Sequence, residues 1–229
     1  LRAHGDAVHL LTCTLGEEGE VIPVELKQLE GHPEDLLAPH RLGELTEAMA
    51  RLGVPFRILG AGAPHERRGR LNAGLSAYRD SGMAGSAAAA RPEAWVNSDL
   101  AVAAALIAEE IEGVGADVVV TYDEQGGYGH PDHIQTRRAV DAARELLGDR
   151  APQLWEIRLP ESWAREDRAW LAHHLDPELG LEILAEDAAY PVSVIADDQV
   201  TVTLEDVDVL PQVNAALRAH ATQVTVISE

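Results

Sequence analysis

A short run between residues 127 and 133 carries the side chains of this sequence best suited to chemistry. Its letters are GYGHPDH, so Tyr128 is followed by His130, Asp132 and His133. Imidazole binds Zn²⁺ well, a nearby carboxylate can orient an imidazole ring, and a tyrosine hydroxyl can donate a hydrogen bond to a developing oxyanion. The spacing alone is equally typical of a helix-capping turn that contains two histidines.

The elements on either side of this run predict where it lies in the fold. Residues 117–122 form a continuous apolar strand of the kind buried on both faces of a parallel sheet. Pro131 suits the first position of a helix that runs to about Leu147. The run therefore lies beyond the carboxyl end of a strand, where open α/β sheets bind ligands. Three glycines at 126, 127 and 129 let the backbone approach such a ligand closely.

Strand and helix patterns alternate along the chain and predict an α/β fold, with a mostly parallel sheet sandwiched by helices in a Rossmann-like arrangement. The remaining helices are predicted at 41–52, from a cap at Asn97 or Ser98 to about Glu112, at 161–175 and at 211–220. The remaining strands are predicted at 7–14, 54–59, 154–159, 192–195 and 200–204, and long loops at 16–40 and 60–96. Residues 1–5 have the pattern of the last turn of a helix ending on glycine, so we expect the first strand of the sheet to be missing before Leu1.

Charge and composition exclude several classes of protein. Asp and Glu number 39 against 18 Lys and Arg, a formal net charge of −21, which disfavours a nucleic-acid or anionic-membrane partner. No apolar run approaches the roughly 20 residues that span a bilayer. Cys13 is the only cysteine, which excludes an internal disulfide, and we expect it to be a small buried hydrophobe. These features predict a soluble, intracellular and acidic protein, and they leave its function and its oligomeric state open.

The run at 127–133 resembles the second motif of the LmbE-like (PIG-L) zinc-dependent de-N-acetylases. Four further blocks, in the correct order, resemble the actinobacterial branch that deacetylates N-acetylglucosaminyl-inositol in mycothiol biosynthesis: TCTLGEEGEV at 12–21, HRLGELT at 40–46, YRDSGMAG at 78–85 and LRAHATQ at 217–223. The resemblance implies one LmbE-like deacetylase domain over residues 1–229, which we expect to be truncated at the N-terminus and at the C-terminus. A mycothiol-conjugate amidase, or another LmbE-like sugar deacetylase, is the alternative within the family.

Residue roles follow from the same resemblance. It implies that His133 is a ligand to Zn²⁺ (Fe²⁺ would suit the same ligands), and that His130 is the acid that protonates the leaving amine. Asp132 would hold the imidazole of His130 in its useful tautomer, and Tyr128 would help to polarise the acetamide carbonyl. The residues implied on the substrate side are Arg41, Asp80, Met83 and Gln223. Arg41 as a surface charge and Asp80 as a turn residue remain alternatives.

One motif of the family is absent from this sequence. Members carry A-H-P-D-D after the first strand, which supplies a histidine and an aspartate to zinc and a second aspartate as general base. We expect this motif before Leu1. The run GHPEDL from Gly31 mimics it but falls inside a loop, so His32 and Asp35 are not expected to bind metal. The absence leaves a further alternative, a metal-free glycan-binding domain or an inactive fragment.

Overall fold

In the described residues the strands form three pairs, and the two strands of each pair run parallel. The computed structural model describes residues 1–61, 74–181 and 184–226 of the chain. The pairs are β1 (Leu10–Thr12) with β2 (Phe56–Ile58), β3 (Val118–Thr121) with β4 (Gln153–Glu156), and β5 (Leu159–Pro160) with β6 (Val194–Ile195). Helices connect the paired strands, which confirms the predicted α/β class.

The helices are capped at some of their ends by residues that satisfy free backbone groups. They are α1 (Leu37–Leu52), α2 (Leu100–Val114), the short α3 (Gly126–Gly129), α4 (Pro131–Leu147), α5 (Glu161–His174) and α6 (Leu210–Ala219). The Asp99 carboxylate accepts the N–H groups of Ala101 and Val102 at the start of α2. Gly53 and Gly115 end α1 and α2 in the left-handed conformation, with φ of 64° and 66°.

The main core lies where α2 and α4 pack against each other and against the strands. Small residues of the two helices, such as Ala103 and Ala139, are fully buried and allow the helices to approach closely. Leu11 of β1 and Val119 of β3 both pack against this cluster. Trp95 is fully buried in it and reaches the start of α4. The core therefore fixes the end of β3 and the first turn of α4, between which the candidate site lies.

Several predicted element boundaries are corrected by the structure. The predicted strand at 200–204 is not a strand, the one at 154–159 is split into β4 and β5, and the cap of α2 is Asp99 rather than Asn97 or Ser98. β3 is not buried on both faces, because Val120 is 49% exposed. Instead of one sheet, three separate strand pairs are formed in the described ranges. Part of the predicted loop at 60–96 lies outside the described residues.

The length and the apolar character of the helices bear on whether the chain can span a membrane. In the part of the chain that the structure describes, no helix combines the length and the apolar character needed to cross a membrane.

Candidate active site

The turn between β3 and α4 is built around the buried carboxylate of Asp123. Its Oδ1 accepts hydrogen bonds from the backbone N–H groups of Gln125, at 2.8 Å, and Gly127, at 3.1 Å. Gly126 and Gly127 have backbone φ angles of 68° and 75°, which residues other than glycine rarely adopt. A Cβ on Gly126 would also lie 2.8 Å from the Cβ of His133. The glycines are therefore required by the path of the turn.

The ring of His133 is held in one orientation by its neighbours. Its Nδ1 lies 3.1 Å from the carbonyl oxygen of Gly126, and a carbonyl can only accept, so Nδ1 must carry the proton. The ring is stacked on Tyr122, with centroids 3.9 Å apart and planes 6° from parallel. Burial lowers the pKa of His133, which favours the neutral ring. The Nε2 lone pair is then available, as in a metal-ligating histidine whose other nitrogen donates to a carbonyl.

His130 has the opposite tautomer. Its Nδ1 accepts the backbone N–H of Asp132 at 3.2 Å, which caps α4 and leaves the proton of the neutral ring on Nε2. The resemblance implied that the Asp132 carboxylate sets this tautomer, whereas the backbone N–H of the same residue does so here. The centroids of the His130 and His133 rings are 4.8 Å apart. One turn thus presents a donating imidazole beside an accepting one.

The carboxylate of Asp132 contacts the loop that contains Asp80. Its Oδ2 accepts the N–H of Ser81 at 3.1 Å, while its Oδ1 is buried without a hydrogen-bond partner. Burial, together with the nearby Asp80 carboxyl, raises the pKa of Asp132 to about 6. The backbone carbonyl of Asp132 accepts a hydrogen bond from Trp95 Nε1 at 3.1 Å. Asp132 is therefore fixed by the core on one side and by the Asp80 loop on the other.

Asp80 joins two loops to this site. Its carboxylate accepts the N–H groups of Glu18, at 3.2 Å, and Gly82, at 2.8 Å. Its own N–H donates to the buried Glu17 carboxylate at 3.0 Å. Burial raises the pKa of Glu17. Asp80 is thus a buried loop-joining group as well as a neighbour of Asp132.

Arg41 lies beneath the loop that follows β1 and is not a surface charge. It is 5% exposed, and its guanidinium donates to the carbonyl oxygens of Gly16 and Glu20. A Cβ on Gly16 or Gly19 would collide with its Nη1, so these glycines make room for it. Burial lowers the pKa of Arg41, and the neighbouring carboxylates, including Asp80, oppose that shift. Its predicted contact with substrate stays a prediction.

The other residues implied by the resemblance differ in how near they lie to the two histidines. Met83 is 55% exposed in the same loop as Asp80. Gln223 is exposed and follows Thr222, whose N–H and hydroxyl both donate to the buried Glu44 carboxylate, at 2.8 and 2.7 Å. Tyr128 is 61% exposed, with its ring centroid 5.2 Å from that of His133. The histidines, Asp132, Tyr128 and Asp80 are therefore close together, whereas Met83 and Gln223 have no recorded contact with them.

The run that mimics the absent motif is engaged elsewhere. Asp35 has φ of 53° and its carboxylate pairs with Arg79 at 2.6 Å. The Nδ1 of His32 accepts the N–H of Glu34 at 3.1 Å. Both side chains therefore have partners within the protein, and the expectation that they do not bind metal stays a prediction.

Sequence reasoning missed three residues of the site. Tyr122 stacks on His133, Asp123 shapes the turn, and Ser81 binds Asp132. Tyr122 ends the predicted strand at 117–122 and Asp123 directly follows it, which was a usable signal because strand ends face the ligand crevice. Ser81 gave no such signal, because its contact with Asp132 joins residues 51 positions apart.

The described residues fit a metal ion only in part. His133 has the tautomer and the held ring of a ligand. Within residues 1–61, 74–181 and 184–226, however, no group of three or more His, Cys, Asp or Glu side chains is arranged to hold a metal. A structural or catalytic Zn²⁺ needs at least three protein ligands. These residues alone therefore do not complete a zinc site.

A parallel α/β fold with donating and accepting imidazoles at the end of a strand defines a candidate hydrolase, and comparison with known proteins gives its family. The profile of the PIG-L family, described as GlcNAc-PI de-N-acetylase, matches residues 1–144. A protein of Thermomonospora curvata named 1D-myo-inositol 2-acetamido-2-deoxy-alpha-D-glucopyranoside deacetylase is 41% identical over 237 positions, covering 99% of this chain and 74% of the relative. Proteins of the same name from Rhodococcus opacus and Streptomyces griseus are 43% and 39% identical, covering 98% of this chain and 74% and 68% of the relatives. The chain belongs to the PIG-L family and is a deacetylase of that family.

Proposed function

We propose that the protein hydrolyses the acetamide of N-acetylglucosaminyl-inositol, giving acetate and the free amine, as a step of mycothiol biosynthesis. The relatives named for this reaction are 39–43% identical over nearly the whole chain, which supports the substrate. Residues 1–229 are proposed to belong to one domain of the enzyme, which acts in the cytoplasm on a small-molecule partner.

The observation that carries this proposal is the pair of opposite tautomers on one turn. His130 presents an Nε2 proton and His133 presents an Nε2 lone pair, and the ring centroids are 4.8 Å apart. Amide hydrolysis needs a proton for the departing nitrogen and an electron-pair donor that helps to organise the attacking water or a metal. A turn with two identical tautomers would not supply both.

The proposed roles of the other residues follow from their positions. Tyr128 is exposed beside both histidines, so its hydroxyl can donate to the carbonyl oxygen as negative charge develops there. As the carbon–nitrogen bond breaks, the nitrogen takes the Nε2 proton of His130, and Nε2 takes up the proton that the attacking water has lost, so the imidazole ends neutral. Asp132 joins the turn to the loop that contains Asp80, and Asp80 joins that loop to the one that follows β1, beneath which Arg41 lies. Met83 and Gln223 are proposed to contact the sugar–inositol from the edge.

Zn²⁺ is the proposed cofactor, with His133 as its ligand from this chain, and Fe²⁺ would suit the same imidazole. Because the described residues do not complete such a site, we derive no catalytic step through the metal. Elemental analysis of the purified protein tests the assignment. Loss of bound metal in the His133→Ala variant would support it. Equal metal content in both proteins would contradict it and would make His32 and Asp35 the next candidates.

A comparison of two substrates tests the reaction itself. The protein is incubated with N-acetylglucosaminyl-inositol or with a mycothiol S-conjugate, and the free amine is measured by fluorescent derivatisation. We expect faster release from N-acetylglucosaminyl-inositol. The reverse preference would support the conjugate amidase instead. No release from either substrate by folded, metal-supplemented protein would contradict a hydrolase, and calorimetry with the same sugar would then test glycan binding.

A further inference from the structure

The segment after β4 reaches back to the turn that carries the histidines. Arg158 lies just before β5, and its Nη1 donates to the Oδ2 of the fully buried Asp123 at 3.2 Å. The same guanidinium group donates to the carbonyl of Val192, just before β6, at 3.2 Å. The N–H of Ser193 lies 3.3 Å from the carbonyl of Gly127. Arg158, Val192 and Ser193 lie beyond the stretch 1–144 that the family profile matches.

Asp123 divides its two oxygens between Arg158 and the turn. While Oδ2 faces Arg158, Oδ1 holds the N–H groups of Gln125 and Gly127. Those two bonds lie on either side of Gly126, whose carbonyl receives the Nδ1 proton of His133. A buried carboxylate without its cation would carry an uncompensated charge, which is strongly unfavourable. The position of the Gly126 carbonyl thus depends on Asp123, and that of Asp123 depends on Arg158.

Further contacts hold Arg158 in place. Its Nε and Nη2 donate to the Glu156 carboxylate at 3.0 and 2.7 Å, and Glu156 also pairs with Arg137 of α4. Arg137 donates to the carbonyl of Tyr122, the residue whose ring stacks on His133. Two routes therefore connect these ion pairs to His133. One runs from Arg137 through Tyr122, and the other runs from Arg158 through Asp123 to the Gly126 carbonyl.

We propose that Asp123 and Arg158 form a positioning pair that fixes the tautomer and the ring orientation of His133. Neither residue is proposed to contact the substrate. The pair makes the β5–β6 segment part of the active-site support, so that the chain beyond residue 144 contributes to the chemistry of the turn. The catalytic consequence rests on the proposed function, whereas the effect on the imidazole does not.

Nitrogen-15 spectra of the histidine rings test this proposal without any need for activity. The protein is labelled in its histidines, and the two ring nitrogens of His133 are assigned by comparison with the His133→Gln variant. At pH 8, in a chelating buffer, we expect the wild type to show one neutral tautomer with the proton on Nδ1. In Arg158→Met, the two nitrogen resonances should move toward each other, because a mixture of tautomers averages them. Arg158→Lys, which keeps the charge, should restore part of the wild-type spectrum.

A matched arginine separates positioning from simple stabilisation. Arg144 is also half-buried, and its Nε donates to the carbonyl of Pro152, remote from the turn. Arg144→Met should lower the midpoint of thermal unfolding as Arg158→Met does, while leaving the His133 resonances unchanged. For acetate release by Arg158→Met, we expect kcat to fall about tenfold or more, while KM stays within about twofold of the wild-type value. Residues that orient a metal ligand without touching the metal commonly have effects of this size.

Each result decides the proposal. If the folded Arg158→Met protein keeps the wild-type resonances of His133, the pair is only a structural ion pair and the proposal is wrong. If Arg158→Met does not fold, Asp123→Asn takes its place, because asparagine keeps one acceptor for the turn and sets an N–H₂ group against Arg158. Unchanged His133 resonances in that variant would also overturn the proposal. The two proposals can also fail separately. If the wild type has no deacetylase activity but Arg158→Met still shifts the His133 resonances as predicted, the proposed function is rejected and the positioning pair stands.

Discussion

The rings of His133 and Tyr122 lie face to face, with their centroids 3.9 Å apart. Tyr122 directly follows β3 and His133 lies in the first turn of α4, so the contact joins the end of a strand to the start of a helix. The stack and the Gly126 carbonyl together restrict the imidazole, since one fixes its plane and the other its rotation. A ligand or base that must meet a substrate needs this kind of restriction.

Replacement of Tyr122 tests the importance of the stack. Tyr122→Phe keeps the aromatic face, so we expect acetate release within about twofold of wild type. Tyr122→Leu removes that face and lets the His133 ring tilt. Because a misplaced catalytic group lowers the rate of the chemical step, kcat should fall about tenfold or more. Steady-state kinetics with N-acetylglucosaminyl-inositol give the comparison. Equal kcat values for the Leu and Phe variants would show that the stack has no role.

Asp132→Asn should stabilise the protein at neutral pH. The folded pKa of Asp132 is about 6, above its ordinary 3.8, so the wild type loses stability as the pH rises from 3.8 through 6. Asparagine keeps an acceptor for Ser81 and removes the buried charge beside Asp80. We expect a rise of roughly 2–6 °C in the unfolding midpoint above pH 7, measured with a chelator present, and a smaller difference near pH 4.

The exposed Asp149 provides the control for this substitution. Asp149→Asn should change the midpoint by less than about 1 °C at either pH. A lower midpoint for Asp132→Asn at pH 7.5 would mean that the charged form of Asp132 is favoured in the folded protein.

The thiol of Cys13 should be inert in the folded protein. Burial raises its pKa from the ordinary 9.0 to about 12, and Thr136 Oγ1 lies 3.7 Å from its sulfur. At pH 8 we expect no reaction with Ellman's reagent until the protein is unfolded in guanidinium, when the single thiol reacts. Because the folded pKa is raised, stability should also fall as the pH rises from about 9 toward 12. In Cys13→Ala this part of the pH dependence should be absent, and rapid labelling of folded wild type would contradict the assignment.

The hydroxyl of Thr222 should stabilise the protein through Glu44. Thr222→Val keeps the side-chain shape but leaves a buried carboxylate oxygen of Glu44 without its donor, which should cost about 1–3 kcal/mol in the free energy of unfolding. Urea denaturation measures this change. Thr46→Val is the matched control, because the Thr46 hydroxyl donates to the Leu42 carbonyl on an exposed part of α1, and its loss should cost less than about 0.5 kcal/mol. Similar losses in the two variants would argue against the buried contact.

Local features of the structure were predictable from the sequence, and long-range ones were not. Pro131 and Gly53 marked the start of α4 and the end of α1 correctly, because capping depends on a few neighbouring residues. The strand predicted at 200–204 is absent, because its apolar pattern has no partner strand to pair with in the described chain.

The same distinction holds within the site. The two histidines were visible in one run, whereas their tautomers depend on the Gly126 carbonyl and the Asp132 N–H group, which spacing does not specify. Arg158 contacts Asp123 across 35 positions, and no motif marks that contact. Contacts of this kind depend on the fold that brings the two segments together.

The most direct test of the account is acetate release from N-acetylglucosaminyl-inositol by wild type and by His130→Asn. Asparagine can still accept the N–H of Asp132 and cap α4, so the unfolding midpoint should change little, while the Nε2 proton of the imidazole is lost. We predict acetate release at least about 100-fold slower than in wild type, the usual loss when a general acid is removed. A His130→Asn protein that releases acetate within about twofold of the wild-type rate would contradict the central claim that His130 protonates the leaving amine.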